Sequence, residues 1–283
     1  MKRIFCIFMT LTLIFMLFGC EKSRTAANSA GILKAHFLKL DEGKCTVFEL
    51  PDGKCMLTDC GTADDFPKIY EYVRNLGIDS IDCLAVTYTD SLHMGGAKKV
   101  MQNFNVREIY VPEYAVNVTL YKNTVAEAAK MNCAVRELCN GTALKDEKEI
   151  CISAVSPIEN NYSNKNDFAV SLIVSYRENT FFIEGDCSIE SENDMISSFG
   201  EYMKSDVLSV AESGSDRASS PAFLQNVSPE YAVIQVPKIA DKKPSKKVLE
   251  CLDIIGAQVL RSDINGTVVI KCDGTDISVN TEA

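Results

Sequence analysis

Apolar residues along this chain switch between period-two and helical spacing, and the order of those stretches predicts an architecture. Leu33 to Leu40 and residues 45–60 read as strands, the second stretch folded as a hairpin with Asp52-Gly53 at its turn. Residues 64–75 carry the spacing of an amphipathic helix and end at Leu76-Gly77, where glycine is a natural helix cap. Strand 83–87, helix 95–104, strand 108–111, helix 119–131 and strand 133–137 continue an alternating series. The middle is strand-rich, at 149–155, 168–176 and 180–184, with a turn at Arg177-Glu178-Asn179. Helix 188–199, strand 206–210, helix 220–226, strand 231–235 and helix 245–255 follow, then short strands near 258–260, 267–271 and 276–279. Hairpin-linked strands that give way to β/α alternation in both halves predict an α/β fold of two mixed sheets face to face with helices outside, an αββα sandwich.

The first twenty residues break this pattern. Lys2 and Arg3 precede an apolar run from Ile4 to Phe18, too short to span a bilayer comfortably, so it reads as an export signal. It ends in Leu17-Phe18-Gly19-Cys20, which resembles a bacterial lipobox and implies cleavage after residue 19 and acylation of Cys20. An uncleaved anchor is the alternative, and both put the remainder outside the cytoplasmic membrane but tethered to it. Residues 20–32 are small and polar and read as a lipid-anchored tether, leaving 33–283 as one compact domain.

Composition narrows the partners. The chain of 283 residues carries 39 acidic against 29 basic side chains, a net charge of -10, which opposes adhesion to nucleic acid or anionic lipid. The expected partners are therefore the membrane, through the lipid anchor, and an envelope protein. The basic cluster from Lys242 to Lys247 has no interleaved aromatics to stack bases and reads as a solvated helix start. Ten cysteines follow Cys20, most of them at apolar strand positions where Cys behaves as a small hydrophobe. The hairpin register sets Cys45 opposite Cys60, so a cross-strand disulfide there stands beside the alternative of buried free thiols.

An ordered set of motifs resembles the metallo-β-lactamase fold, in the form found at the end of ComEC-type DNA-uptake proteins. Its pieces are HFL at 36–38, ELPDGK-x-ML-x-D-x-GT at 49–62, LGI-x-x-ID-x-L at 76–84 and T-x(7)-GGA at 87–97. EGD at 184–186, ESEN at 190–193, SDVLSV at 205–210 and VSPEYAVI at 227–234 continue it. In that family two divalent metals, usually zinc, hold a hydroxide that attacks a phosphodiester or ester, on imidazole and carboxylate ligands. The resemblance implies that the H-x-H-x-D-H loop has become Tyr88-Thr89-Asp90-Ser91-Leu92-His93, keeping only the last His. Asp186 retains the place of the bridging aspartate, while Glu212-Ser213-Gly214-Ser215 replaces His-His-Gly-Ser and Lys243 replaces a His at the mouth.

Two His in the whole chain, His36 and His93, cannot rebuild a His-rich dinuclear centre. The expectation is a degenerate member that binds a ligand or partner, with no cofactor. The alternative is an active phosphodiesterase or nuclease-type hydrolase with one cation (Mn²⁺, Mg²⁺, Ca²⁺ or Zn²⁺) on Asp90, His93, Asp186 and Glu212. Asp59 is expected behind that site, with Tyr88, Leu92, Ser213 and Lys243 in the cleft. Cys60 or Cys187 paired with His93 is a weaker nucleophilic arrangement, as are Ser213 and Ser215.

Overall fold

The computed structural model describes residues 31–239 and 243–282. The export signal, Cys20 and most of the tether lie outside the described residues, as do Asp241 and Lys242. No helix among the described residues is long and apolar enough to cross a membrane.

The chain opens with β1 (Leu33–Phe37), β2 (Thr46–Glu49), β3 (Cys55–Thr58), α1 (Phe66–Asn75) and β4 (Ser80–Ala85). Next come α2 (Ser91–Met94), α3 (Ala97–Asn103), β5 (Asn105–Pro112), α4 (Val118–Lys130) and β6 (Ala134–Leu138). The second half holds β7 (Ala143–Asp146), β8 (Ile150–Ala154), β9 (Leu172–Tyr176), β10 (Asn179–Ile183) and α5 (Ile189–Phe199). It closes with β11 (Val207–Ser209), α6 (Pro221–Val227), β12 (Tyr231–Ile234), α7 (Lys246–Ile254), β13 (Gln258–Arg261), α8 (Ser262–Asn265), β14 (Thr267–Cys272) and β15 (Ile277–Glu282). The strands form an eight-stranded sheet ordered β15-β14-β1-β2-β3-β4-β5-β6 and a seven-stranded sheet ordered β13-β12-β11-β10-β9-β8-β7.

Three apolar clusters account for the layers. One lies between the sheets, where Phe48 meets Phe181 edge-on at 6.3 Å between ring centroids. A second packs α1 and α3 on the outer face of the first sheet, and a third packs α5, α6 and α7 on the second. This is the expected sandwich, with helices covering both outer faces. The expected helix at 95–104 is α3, and the loop expected before it holds the additional short α2, which the Asp90 side chain caps. The expected strand at 168–176 begins only at Leu172, the residues before it forming a 3-10 turn at Lys165–Phe168. Two short elements, β7 and α8, carry too little apolar periodicity to be read from sequence.

The hairpin register corrects one expectation. Thr46 pairs with Thr58 and Val47 with Leu57, which puts Asp59, not Cys60, opposite Cys45. Both cysteines are buried free thiols, and Cys60 Sγ donates to the His93 carbonyl at 3.2 Å. The remaining eight described cysteines are free as well.

The loop after β1 is pinned by one carboxylate. Asp65 Oδ1 accepts from the N–H of Asp41 at 2.9 Å, and Oδ2 accepts from the N–H groups of Gly43 at 2.8 Å and Thr62 at 3.0 Å. Burial alone would raise the Asp65 pKa, but the N–H groups of Thr62 and Gly43 override it and hold the carboxyl below its usual range. Gly43 must be glycine for a steric reason: a Cβ there would lie 2.4 Å from the Leu92 carbonyl oxygen. Asp65→Ala is expected to cost about 3 kcal/mol in urea unfolding, because several buried N–H groups lose a charged acceptor together. An unchanged urea midpoint would show that the loop is held by other means.

Candidate functional site

Backbone hydrogen bonds stitch three loops into one floor. Lys44 N–H donates to Leu92 O at 3.0 Å, Gly61 N–H to Lys44 O at 2.7 Å, and Cys60 N–H to His93 O at 2.8 Å. The stitching brings Lys44, Asp59 and His93 to the end of the first sheet. From the second sheet, the loop after β10 supplies Asp186 and the 3-10 turn Ala211–Ser213 supplies Glu212.

Asp186 is the hub. Its Oδ1 accepts from the Lys44 ammonium and, at 2.7 Å, from the Glu212 N–H. Its Oδ2 lies 3.4 Å from His93 Nε2, an ion-pair distance without hydrogen-bond alignment. On the other side of the ring, His93 Nδ1 meets Asp90 Oδ1 at 2.7 Å, and that oxygen also caps α2 by accepting from the Leu92 and His93 N–H groups. Asp90, His93, Asp186 and Lys44 therefore form a chain of alternating charge.

Electrostatics fix the protonation states. Burial alone would raise the Asp186 pKa, but Lys44 and His93 hold it far below the carboxylate range. Burial alone would lower that of His93, but Asp186, then Asp59 and Asp90, push it up to about 10. These carboxylates favour the imidazolium form of His93. Burial and then Asp186 act in the same opposed senses on Lys44, and the net shift is upward. Asp59 is raised to about 6 by burial, against His93 and the Thr87 N–H and hydroxyl, each of which it engages at 2.7 Å.

The other residues singled out from sequence fall in distinct places. Glu212 offers Asp186 its backbone, while its carboxylate is held by Arg217 at 2.9 and 3.1 Å and by Asn166 at 3.1 Å. Tyr88 stands edge-on to His93 and donates its hydroxyl to Asn166 Oδ1 at 3.1 Å. Leu92 is 40% exposed, facing outward from the loop it was expected to serve. Ser213 is buried, and Lys243 precedes Pro244, which packs against Gly214. Neither Ser213 nor Ser215 hydrogen-bonds His93 among the described residues. Burial pushes the Cys60 and Cys187 thiols well up, which removes the thiolate that pairing with His93 would need. Behind the hub, Glu184 accepts from the Ala211 N–H at 2.9 Å and the Ser219 hydroxyl at 2.8 Å, and burial and Glu192 raise its pKa.

The metal that the fold family implies can be tested against these donors. Among the described residues, no group of three or more His, Cys, Asp and Glu side chains is placed to hold a metal ion. Of the four expected ligands, His93 engages Asp90 through Nδ1, Asp90 is spent on the cap and the ring, and Glu212 is turned to Arg217 and Asn166. Asp186 is covered by an ammonium. The residues present do not fit the group, and the reason is Lys44, which by the family resemblance stands at the end of the altered entry segment Lys39–Lys44 and was not among the expected site residues.

Comparison with known proteins agrees with this architecture. The sequence profile of the metallo-beta-lactamase superfamily matches residues 38–125. The solved metallo-beta-lactamase fold protein YhfI from Bacillus subtilis superposes with a TM-score of 0.55 over 81% of this chain and 95% of that one, at 11% identity. The chain is a metallo-β-lactamase-fold protein. It is also similar to ComE operon protein 3 of Bacillus subtilis, 28% identical over 193 residues, and to competence protein ComA of Neisseria gonorrhoeae, 30% identical over 217 residues. Those matches cover 68% and 75% of this chain but 25% and 28% of the relatives, so this metallo-β-lactamase fold corresponds to about a quarter of each.

Two measurements probe the hub. Lys44→Met keeps the stem and removes the charge, leaving Asp186 short of a partner, and is expected to cost about 3 kcal/mol in urea unfolding. The His93 contribution has a definite pH signature. With a folded pKa of about 10 and an unfolded one of about 6.5, its stabilisation is complete below about pH 6.5 and is lost as pH rises through about 10. His93→Gln should lack that alkaline loss, and identical pH profiles for the two proteins would contradict the assignment.

Proposed function

We propose that this protein is a metal-free member of the fold that acts by binding rather than by hydrolysis, tethered to the outer face of the cytoplasmic membrane through Cys20. The observation that carries this reading is the Lys44 ammonium seated on Asp186. A divalent cation entering here would have to expel that ammonium and compete with the Glu212 N–H for the same carboxylate. It would then meet carboxylates already engaged elsewhere. Leu92 has no donor atom, and the Tyr88 hydroxyl is committed to Asn166. Without a metal there is no bound hydroxide for phosphodiester attack.

The envelope setting is supported by similarity to two competence proteins and by the leader that precedes the domain. The net charge of -10 weighs against nucleic acid as the bound partner and favours an envelope protein or a small ligand. The active-hydrolase reading, with one cation on Asp90, His93, Asp186 and Glu212, has in its favour the buried His93 Nε2 that faces Asp186 Oδ2 without a hydrogen bond, and against it the Lys44 ammonium on Asp186 and the commitment of Glu212 to Arg217.

The test is metal content. Protein incubated with zinc or with manganese and then desalted should carry metal at background by plasma mass spectrometry. About one metal per chain, lost in Asp186→Ala, would reject the proposal and justify screening phosphodiesters.

A further inference from the structure

A cavity of about 380 Å³ opens beside the hub, between the connection from β5 to α4, the turn after β6, and the loop leading into the 3-10 turn at Lys165–Phe168. Its walls differ in kind. One is aromatic: Tyr114 stacks on Phe168 with ring centroids 3.8 Å apart and planes 12° from parallel. Phe168 is buried, while Tyr114 is 42% exposed. The rest of the lining includes Glu113, Glu159, Asn140 and Asn160, all at the solvent-exposed mouth.

These polar groups are unengaged. Among the described residues, neither the Glu113 nor the Glu159 carboxylate makes an ion pair or hydrogen bond, in contrast to Asp186 and Glu212 in the hub. No Lys or Arg lines the cavity. Two carboxylates without counter-ions, two amides and an accessible aromatic face create a site of negative potential with an apolar floor. A ring face attracts a cation through its quadrupole, and the attraction grows as the cation is desolvated. An anion would find two like charges and no cationic donor. The volume lies in the range of small-ligand pockets, in which an apolar lining supplies contact and a few polar groups set orientation.

The cavity also communicates with the hub. Asn166, on the same 3-10 turn as Phe168, donates to Glu212 Oε1 and accepts from the Tyr88 hydroxyl. One short turn thus carries both the aromatic wall of the cavity and the side chain that fixes Glu212.

We propose that this cavity binds an organic cation, a primary amine or guanidinium carried on an aromatic or aliphatic stem. The stem lies on Tyr114, and the charge sits between Glu113 and Glu159. This goes beyond the metal-free reading and stands separately from it, because none of the residues lining the cavity belongs to the hub.

The chain has no Trp, so Tyr114→Trp places a single fluorophore in the cavity wall while keeping an aromatic face there. Full-length Tyr114→Trp protein in mild detergent is titrated with 2-phenylethylamine and, separately, with 3-phenylpropionate, which has a similar ring and stem but the opposite charge. Calorimetry on the unmodified chain with the same two compounds guards against failure of the variant to fold. The expected result is saturable binding of the amine in the millimolar range or tighter, none of the carboxylate, and binding weakened about tenfold by Glu113→Gln with Glu159→Gln. No saturation by the amine in either protein, equal binding of the carboxylate, or unchanged affinity in the double Gln variant would overturn the proposal. Metal content is measured independently, so failure here leaves the metal-free reading standing, and the converse holds.

Discussion

Two loops 142 residues apart in the chain meet where the Lys44 ammonium rests on Asp186. A carboxylate with 14% of its side-chain surface exposed cannot remain ionised in a low-dielectric pocket without compensating charge. The metallo-β-lactamase fold ordinarily offers a metal at this position. This chain offers two of its own cations, Lys44 and the His93 imidazolium, together with the Glu212 N–H. Because the counter-charge is covalently attached, the pocket needs nothing from solution to be satisfied. The loop holding Lys44 is itself fixed by Asp65 and by the close approach of Gly43 to Leu92. Each layer of the site therefore rests on that one ion pair and on the turn that delivers it.

Backbone strain follows the same geography. Asp59, Glu212 and Ser213 are non-glycine residues in left-handed conformations, with φ of 61°, 43° and 57°. Each such residue costs on the order of 1–3 kcal/mol and persists only where its surroundings impose it. Here the surroundings are evident: Asp59 is locked by two hydrogen bonds to Thr87, and the turn at 212–214 is wedged by Pro244 against Gly214, where a Cβ would lie 2.5 Å from the proline ring. The framework thus still enforces the tight turns that present side chains to the hub, although the side chains presented have changed.

The fold was legible because its signals are local. Period-two runs, the Asp52-Gly53 turn and the Gly77 cap each specify an element without reference to distant residues, and their order suffices for the sandwich. The loss of the His-rich loop was legible too, from counting. The role of Lys44 was not, because the altered entry segment Lys39–Lys44 marks a change but the lysine's meaning depends on a partner on the other sheet. The Cys45 and Cys60 pairing failed for a related reason: a shift of one residue in hairpin register changes every partner, and the turn alone left that register open. The stacked Tyr114 and Phe168 were equally invisible, since 54 residues and three strands separate them in sequence.

Whether such a centre holds a metal is separable from whether the domain folds, because of where the stability resides. The three apolar clusters lie between and outside the sheets, whereas the hub occupies loops at one end of them. Having Tyr88 where the family has a His, and Leu92 where it has an Asp, removes nothing from those clusters except at their margin, where Tyr88 joins the third. What the replacement would leave behind is uncompensated negative charge at Asp186, with Asp59 and Asp90 close by. Buried charge of that kind is among the few defects severe enough to unfold a domain. A lysine on the adjoining loop removes the defect in one step. With Lys44 and His93 beside Asp186, Tyr88 and Glu212 make their own hydrogen bonds with Asn166 and Arg217.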